Sequence, residues 1–140
     1  MLFEKRPRLI KRLLIVEDEP LVAFDNEHLL GEAGYVVVAT VDSVQAALAM
    51  LASEPIDLVL ADVRLRDGGN GVAVARAAGD RGVAVLFVSA YCPVQAHPYA
   101  LGCLAKPYRP RDLLRAVTLI ETVKAGGDVA RLPRGLRLYG

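Results

Sequence analysis

The run Ile56-Asp57-Leu58-Val59-Leu60-Ala61-Asp62 sets the architecture expected for the rest of the chain. Leu58 to Ala61 carry no charge and suit a strand buried on both faces, and the run then ends on a carboxylate. Gly68, Gly69, Asn70 and Gly71 follow closely, so the strand opens into a tight loop. Open α/β sheets bind their ligands at the carboxyl ends of their strands, which is where Asp62 would stand. Taken alone, Asp62 reads more simply as a cap for the following turn. Its meaning depends on what the other strands bring beside it.

Working outward, Leu13-Leu14-Ile15-Val16 is a second buried run, and it ends in Glu17-Asp18-Glu19 before Pro20. Proline suits the first turn of a helix, where its missing N–H has no partner to lose. Leu21, Val22, Phe24, Leu29, Leu30 and Ala33 then recur at helical spacing up to a stop at Gly34. Tyr35 to Ala39 predicts a strand, and Asp42 or Ser43 can cap a helix running through Ala52. After the 62–71 loop, residues 72–78 read as helix, ended by Gly79 to Gly82. Val83-Ala84-Val85-Leu86-Phe87-Val88 is a buried strand ending on Ser89. Pro93 and Pro98 leave no room for a long helix between Tyr91 and Gly102. Cys103-Leu104-Ala105 is a short strand followed by Lys106-Pro107. Leu113, Leu114, Val117 and Ile120 mark an amphipathic helix from Arg111 or Asp112 to Lys124. Five strands alternating with helices predict a doubly wound parallel sheet with a shortened fourth helix. The expected organisation is a basic N-terminal extension over 1–11, one domain over 12–124, and a basic C-terminal tail over 125–140.

Four strand ends thus carry Glu17-Asp18, Asp62, Ser89 and Lys106. In a parallel sheet these ends share one edge, so groups far apart in sequence converge. Singly, each has a plain structural explanation as a helix cap, a turn residue or a surface charge. An acid pair, an acid, a hydroxyl and a lysine at successive strand ends fit phosphoryl transfer to a carboxylate. Clustered carboxylates supply oxygen ligands for a hard divalent cation such as Mg²⁺. One carboxylate can act as the nucleophile and form an aspartyl-phosphate. A cation and a lysine offset the charge on the phosphoryl oxygens, and a hydroxyl can hydrogen-bond them.

Composition narrows the alternatives. At 140 residues one domain is the natural size, burying roughly 68–70% of its unfolded surface. Trp is absent and aromatics are few, so Val, Leu, Ile and Ala must build the core. No apolar run reaches the roughly 18–20 residues that span a bilayer, and the charged opening Phe3-Glu4-Lys5-Arg6-Pro7 is not a signal peptide. A cytoplasmic protein without a membrane segment is expected. Residues 1–12 carry +4 and residues 124–140 carry +3, which leaves −6 on the body between them out of a total of +1. The acidic body agrees with a cation site, and the basic ends read as solvated flanks, with nucleic-acid contact the lesser alternative. Cys92 and Cys103 lack metal-ligand spacing and predict no disulfide framework; Cys103 reads as a small core residue and Cys92 as a loop residue. His28 reads as an exposed helix residue, His97-Pro98 as a loop dipeptide, and the Gly68–Gly71 run does not follow the strand-to-helix pattern of a dinucleotide loop.

Leu14-Ile15-Val16-Glu17-Asp18-Glu19, then Asp62, Ser89-Ala90 and Lys106-Pro107, resembles the receiver domain of two-component response regulators over roughly residues 12–123. The resemblance implies a flavodoxin-like fold. It implies that Asp62 accepts a phosphoryl group from a sensor histidine kinase or a histidine phosphotransfer protein. It implies Mg²⁺ bound by Asp18, Asp62 and the backbone carbonyl of Arg64, with Glu17 acting through water. Ser89 would bind a phosphoryl oxygen and Lys106 would pair with the phosphate.

Several positions depart from that pattern. Most receivers carry an aromatic residue three before the lysine, and here that position is Cys103. The loop after Asp62 is glycine-rich and one residue longer than usual. Phe87-Val88-Ser89-Ala90-Tyr91 loosely resembles an atypical receiver subgroup with an F-A-T-G motif and a downstream aromatic. Tyr91 is therefore expected to take over part of the switching role. Arg64 and Tyr91, each two residues past a site residue, are expected to screen the phosphoryl group from water and slow its loss. The leading expectation is a single-domain response regulator, not a turnover enzyme beyond an autophosphatase activity, acting as a monomer or weak homodimer on an unknown output protein. No DNA-binding domain is expected after residue 124. The basic N-terminal stretch favours a whole protein over a domain of a hybrid kinase. The alternatives are a phosphorylation-independent interaction module with the same fold and, less well supported, a hydrolase, for which no second general base is evident.

Overall fold

A computed structural model describes residues 8–66, 68–129 and 131–139. Six strands form one sheet in the order β2-β1-β3-β4-β5-β6. They are β1 (Arg12–Val16), β2 (Val36–Val41), β3 (Leu58–Ala61), β4 (Ala84–Ser89), β5 (Gly102–Ala105) and β6 (Leu136–Leu138). The helices are α1 (Pro20–Glu32), α2 (Val44–Ser53), α3 (Gly71–Asp80) and α4 (Pro110–Lys124), and a short 3-10 helix runs over Val94–Tyr99. The first five strands pair in parallel, as the doubly wound reading expects.

Alternation along the strands builds two cores. Leu13, Ile15, Leu58, Leu60, Leu86, Val88 and Leu104 face α1 and α4, where Leu30, Leu113, Val117 and Ile120 meet them. Leu14, Val16, Val59, Ala61, Val85, Phe87 and Cys103 face α2 and α3, where Ala47, Leu51, Val74 and Ala78 meet them. Register fixes which residue reaches the functional edge: Val16 lies opposite Ala61 and Ser89 opposite Ala105, so the residues that follow emerge together. Local signals start each helix. Pro20 occupies the first turn of α1, the Ser43 hydroxyl accepts from the Ala46 amide at 3.1 Å, and the Asn70 side chain accepts from the Val72 amide at 2.8 Å.

The ends of the chain correct the sequence reading. The C-terminal tail is in part structure: β6 pairs antiparallel with β5, Leu136 opposite Leu104 and Leu138 opposite Gly102. The sheet therefore has a sixth strand. It forms because β5 would otherwise be an open edge, and because Gly102 has no side chain to collide with the Arg137 carbonyl oxygen. The basic N-terminal extension lies, for residues 1–7, outside the described residues. Of residues 8–10, Ile10 is packed into the domain, while Arg8 and Leu9 are exposed. Ile10 is fully buried with its amide donating to the Glu121 carboxylate at 2.9 Å, and the Arg8 guanidinium lies 4.7 Å from the Tyr35 ring centroid. The fourth helix is shortened as expected, but its segment is a 3-10 helix containing Pro98, and His97 within it stacks on Tyr139 at 3.9 Å.

Candidate functional site

Backbone ladders carry the site residues one step beyond their strands. The Glu17 amide donates to the Val41 carbonyl at 2.9 Å, the Asp62 amide to Val16 at 3.0 Å, and the Lys106 amide to Ser89 at 2.9 Å. Glu17, Asp62 and Ser89 are buried, and Asp18 and Lys106 are partly buried. The loop leaving Asp62 turns back sharply: the Gly71 amide bonds the Val63 carbonyl at 2.8 Å, and any Cβ at Gly71 would collide with the Asp62 carbonyl oxygen.

Asp62 is engaged on both oxygens. Ser89 Oγ donates to Oδ1 at 2.6 Å and Lys106 Nζ to Oδ2 at 2.9 Å, while the Arg64 amide donates to Oδ1 at 3.2 Å. Lys106 Nζ also donates to Glu17 Oε1 at 2.5 Å, and Glu17 Oε2 accepts from the Glu19 amide at 3.2 Å. Asp18 accepts from the Arg66 amide across the loop. Burial pushes the Glu17 carboxyl up, with Lys106 opposing it. Burial draws Lys106 down, but its hydrogen bonds to Glu17 and Asp62 outweigh that and hold the ammonium charged.

Three carboxylates thus face one ammonium, a donor set with charge left to compensate. One oxygen from each of Glu17, Asp18 and Asp62 lies within 4.8 Å of the others. A cluster of hard oxygen donors with this net charge fits a small divalent cation. Arg64 bridges to Asn70 across the loop. The sequence brought Arg64 and Tyr91 to the site separately. The structure joins them, with the Arg64 guanidinium 4.1 Å from the Tyr91 ring centroid, and the Tyr91 amide donates to Ser89 Oγ at 3.2 Å.

Two features were not read from the sequence. Cys92 and Cys103 form a disulfide with Cα atoms 6.1 Å apart, so neither is the free thiol expected. Their separation of eleven residues carries no pairing signal; strand alternation and the 3-10 segment bring them into one core. Ala90, also singled out from sequence, is exposed and lines a groove of about 790 Å³ beside Lys106, together with Val22, Asn26, Leu29 and Tyr108. Tyr108 donates to the Asn26 side chain at 2.9 Å, and burial pushes its hydroxyl up. His28 is exposed on α1, as expected, and takes no part in the acid cluster.

The family model for the response regulator receiver domain matches residues 13–118. The phyllosphere-induced regulator PhyR of Methylorubrum extorquens is 32% identical over 111 residues, covering 76% of this chain and 42% of PhyR. The transcriptional regulatory protein PdtaR of Mycobacterium tuberculosis is 30% identical over 138 residues, covering 90% of this chain and 66% of PdtaR. The chain spans less than two thirds of either relative. Among solved structures, a CheY-like receiver domain from Methanospirillum hungatei superposes with a TM-score of 0.74 at 26% identity, covering 84% of this chain and 98% of that one. PhyR from Brucella abortus superposes at 0.73 with 29% identity, over 85% of this chain and 51% of that one.

Proposed function

Because the chain belongs to the response regulator receiver family, we propose that it is a phosphorylation switch in which Asp62 accepts a phosphoryl group from a histidine kinase or a histidine phosphotransfer protein. The observation that carries this reading is the double engagement of the Asp62 carboxylate, by Ser89 on one oxygen and Lys106 on the other. In the transfer an Asp62 oxygen bonds to phosphorus while the donor's N–P bond breaks and its electron pair leaves with the imidazole. Glu17, Asp18 and Asp62, with the Arg64 carbonyl, would hold Mg²⁺, which when bound offsets charge on the phosphoryl oxygens. Lys106 keeps its charge and pairs with the phosphate, and the Ser89 hydroxyl turns from Asp62 to a phosphoryl oxygen. That turn breaks the contact with the Tyr91 amide, which makes Tyr91 and the neighbouring Ala90 the residues that report the change.

Arg64 and Tyr91, stacked beside the site, limit access of water and make loss of the phosphoryl group a slow return step. The groove beside Lys106, with Leu21 and Phe24 exposed on α1, gives the donor an apolar surface to seat against. We take residues 12–124, completed by Ile10 in the core and β6 on the sheet edge, as the receiver unit of a cytoplasmic protein, a monomer or weak homodimer that acts on a separate output protein. Among the described residues no helix is long and apolar enough to cross a membrane. Incubation with Mg²⁺ and acetyl phosphate tests the reading: the chain should gain one hydroxylamine-labile phosphoryl group, and Asp62→Asn should gain none. An Asp62→Asn variant labelled as fully as the wild type would refute it.

A further inference from the structure

We propose that the Cys92–Cys103 pair is a reversible dithiol–disulfide site whose state sets how tightly the segment 90–101 is held against Asp62. The proposal rests on the proposed function for its link to Asp62 and for a cytoplasmic setting, and on geometry for the bond itself. Cys103 is fully buried in β5, opposite Phe87 of β4, so its half of the bond is anchored in the sheet. Cys92 is only partly buried and sits in the loop three residues after Ser89. A continuous line of contacts then runs from the bond to the acceptor. Cys92 follows Tyr91, the Tyr91 amide donates to Ser89 Oγ at 3.2 Å, and Ser89 Oγ donates to Asp62 at 2.6 Å.

The far end of the segment is fixed, with the Leu101 amide donating to the Val85 carbonyl at 2.9 Å and the Leu101 carbonyl accepting from the Tyr139 amide at 2.8 Å. Between Tyr91 and Tyr99 it is held more lightly: Pro93 and Pro98 deny it a regular helix, and its 3-10 helix is tied by the Ala96-to-Pro93 hydrogen bond at 3.1 Å and by buried Ala96. The ring contacts that flank it, Arg64 over Tyr91, Arg76 over Tyr99 and His97 on Tyr139, involve exposed side chains on at least one side. A covalent tie from loop to sheet is the strongest restraint among these. Disulfides of cytosolic proteins are as a rule transient and redox-sensing rather than structural, which fits a bond whose loop-side cysteine is only partly buried.

The exchange balances with a protein dithiol as reductant. One of its thiolates attacks Sγ of the partly buried Cys92, the S–S bond breaks, and the electron pair leaves on Cys103 Sγ, which takes up a proton. The second thiol of the reductant then displaces Cys92, leaving two cysteine thiols here and a disulfide on the reductant. A low-molecular-weight disulfide reverses the sequence. Oxidised, the loop holds Tyr91 over the site; reduced, the loop and Tyr91 are freed.

The full chain is compared after treatment with oxidised glutathione and after treatment with dithiothreitol. Alkylation should block no cysteine in the first sample and two in the second. Amide exchange of residues 90–101, measured without phosphodonor, should quicken roughly tenfold on reduction, while β1 and β3 stay unchanged. After labelling with acetyl phosphate and Mg²⁺, the reduced protein should lose its phosphoryl group several-fold faster. A Cys92→Ser variant should match the reduced protein under both treatments. Two alkylated cysteines after oxidation, equal exchange in the two states, or equal phosphoryl lifetimes would overturn the proposal. Absence of labelling in both states would instead refute Asp62 as acceptor, while the exchange measurement would still decide whether the bond acts as a lock.

Discussion

On the proposed function, Arg64 and Tyr91 screen the phosphoryl group from water. A guanidinium over a ring at 4.1 Å contributes about 0.5–1 kcal/mol at an exposed site. Replacing both in Arg64→Ala, Tyr91→Ala should therefore shorten the phosphoryl lifetime about two- to fivefold, read by the decay of labelled protein after the donor is removed. An unchanged lifetime would show that the stacked pair does not exclude water. Asp112 gives a second residue-scale expectation. The Arg109 side-chain hydrogen bond at 2.9 Å holds the Asp112 carboxyl below its ordinary value, despite burial, and the Arg109 amide donates to the same carboxylate at 3.3 Å to cap α4. A depressed carboxyl stabilises the fold above its unfolded pKa of about 3.9, and the contribution is lost as pH falls through the folded value. Wild type should thus exceed Asp112→Asn in urea midpoint at pH 7, and the gap should close as the pH falls through the lowered folded value. A gap independent of pH would assign the loss to packing instead.

At the scale of elements, β1, β3 and β4 were legible because they are apolar on both faces, a pattern only a covered parallel strand needs. Their ends were legible for the same reason, since the first charged or hydroxylated residue marks where the strand leaves the core. The sixth strand was not. Leu136-Arg137-Leu138 alternates correctly but is three residues long, and it exists only because β5 offers an edge. Gly102 is the residue that makes this edge accessible, so Gly102→Ala should cost about 1–3 kcal/mol and strip amide protection from residues 136–138. Protection in β1 and β3 should persist, and retention of protection in β6 would show that the tail does not depend on the close approach at Gly102. The disulfide escaped the sequence for a related reason. Cys103 was read correctly as a core residue, but its partner reaches that core only through the irregular path between Pro93 and Leu101.

For the whole molecule, the flavodoxin-like sheet gathers Glu17, Asp18, Asp62, Ser89 and Lys106 on one edge from four separated parts of the chain. Identity of the site residues was legible because each lies at, or within two residues past, the end of a strand; their pairing, with Lys106 shared between Glu17 and Asp62, is a matter of three-dimensional arrangement. Past Ser89, Cys103 stands three before Lys106, Val94–Tyr99 is a 3-10 helix and the C-terminal strand covers the sheet edge. The most direct measurement is the intact mass of the full chain after incubation with acetyl phosphate, with Mg²⁺ present or removed by chelation. Gain of one phosphoryl group on Asp62, dependent on Mg²⁺, is the predicted result. No gain with Mg²⁺ present, or a gain located on another residue, would contradict the account.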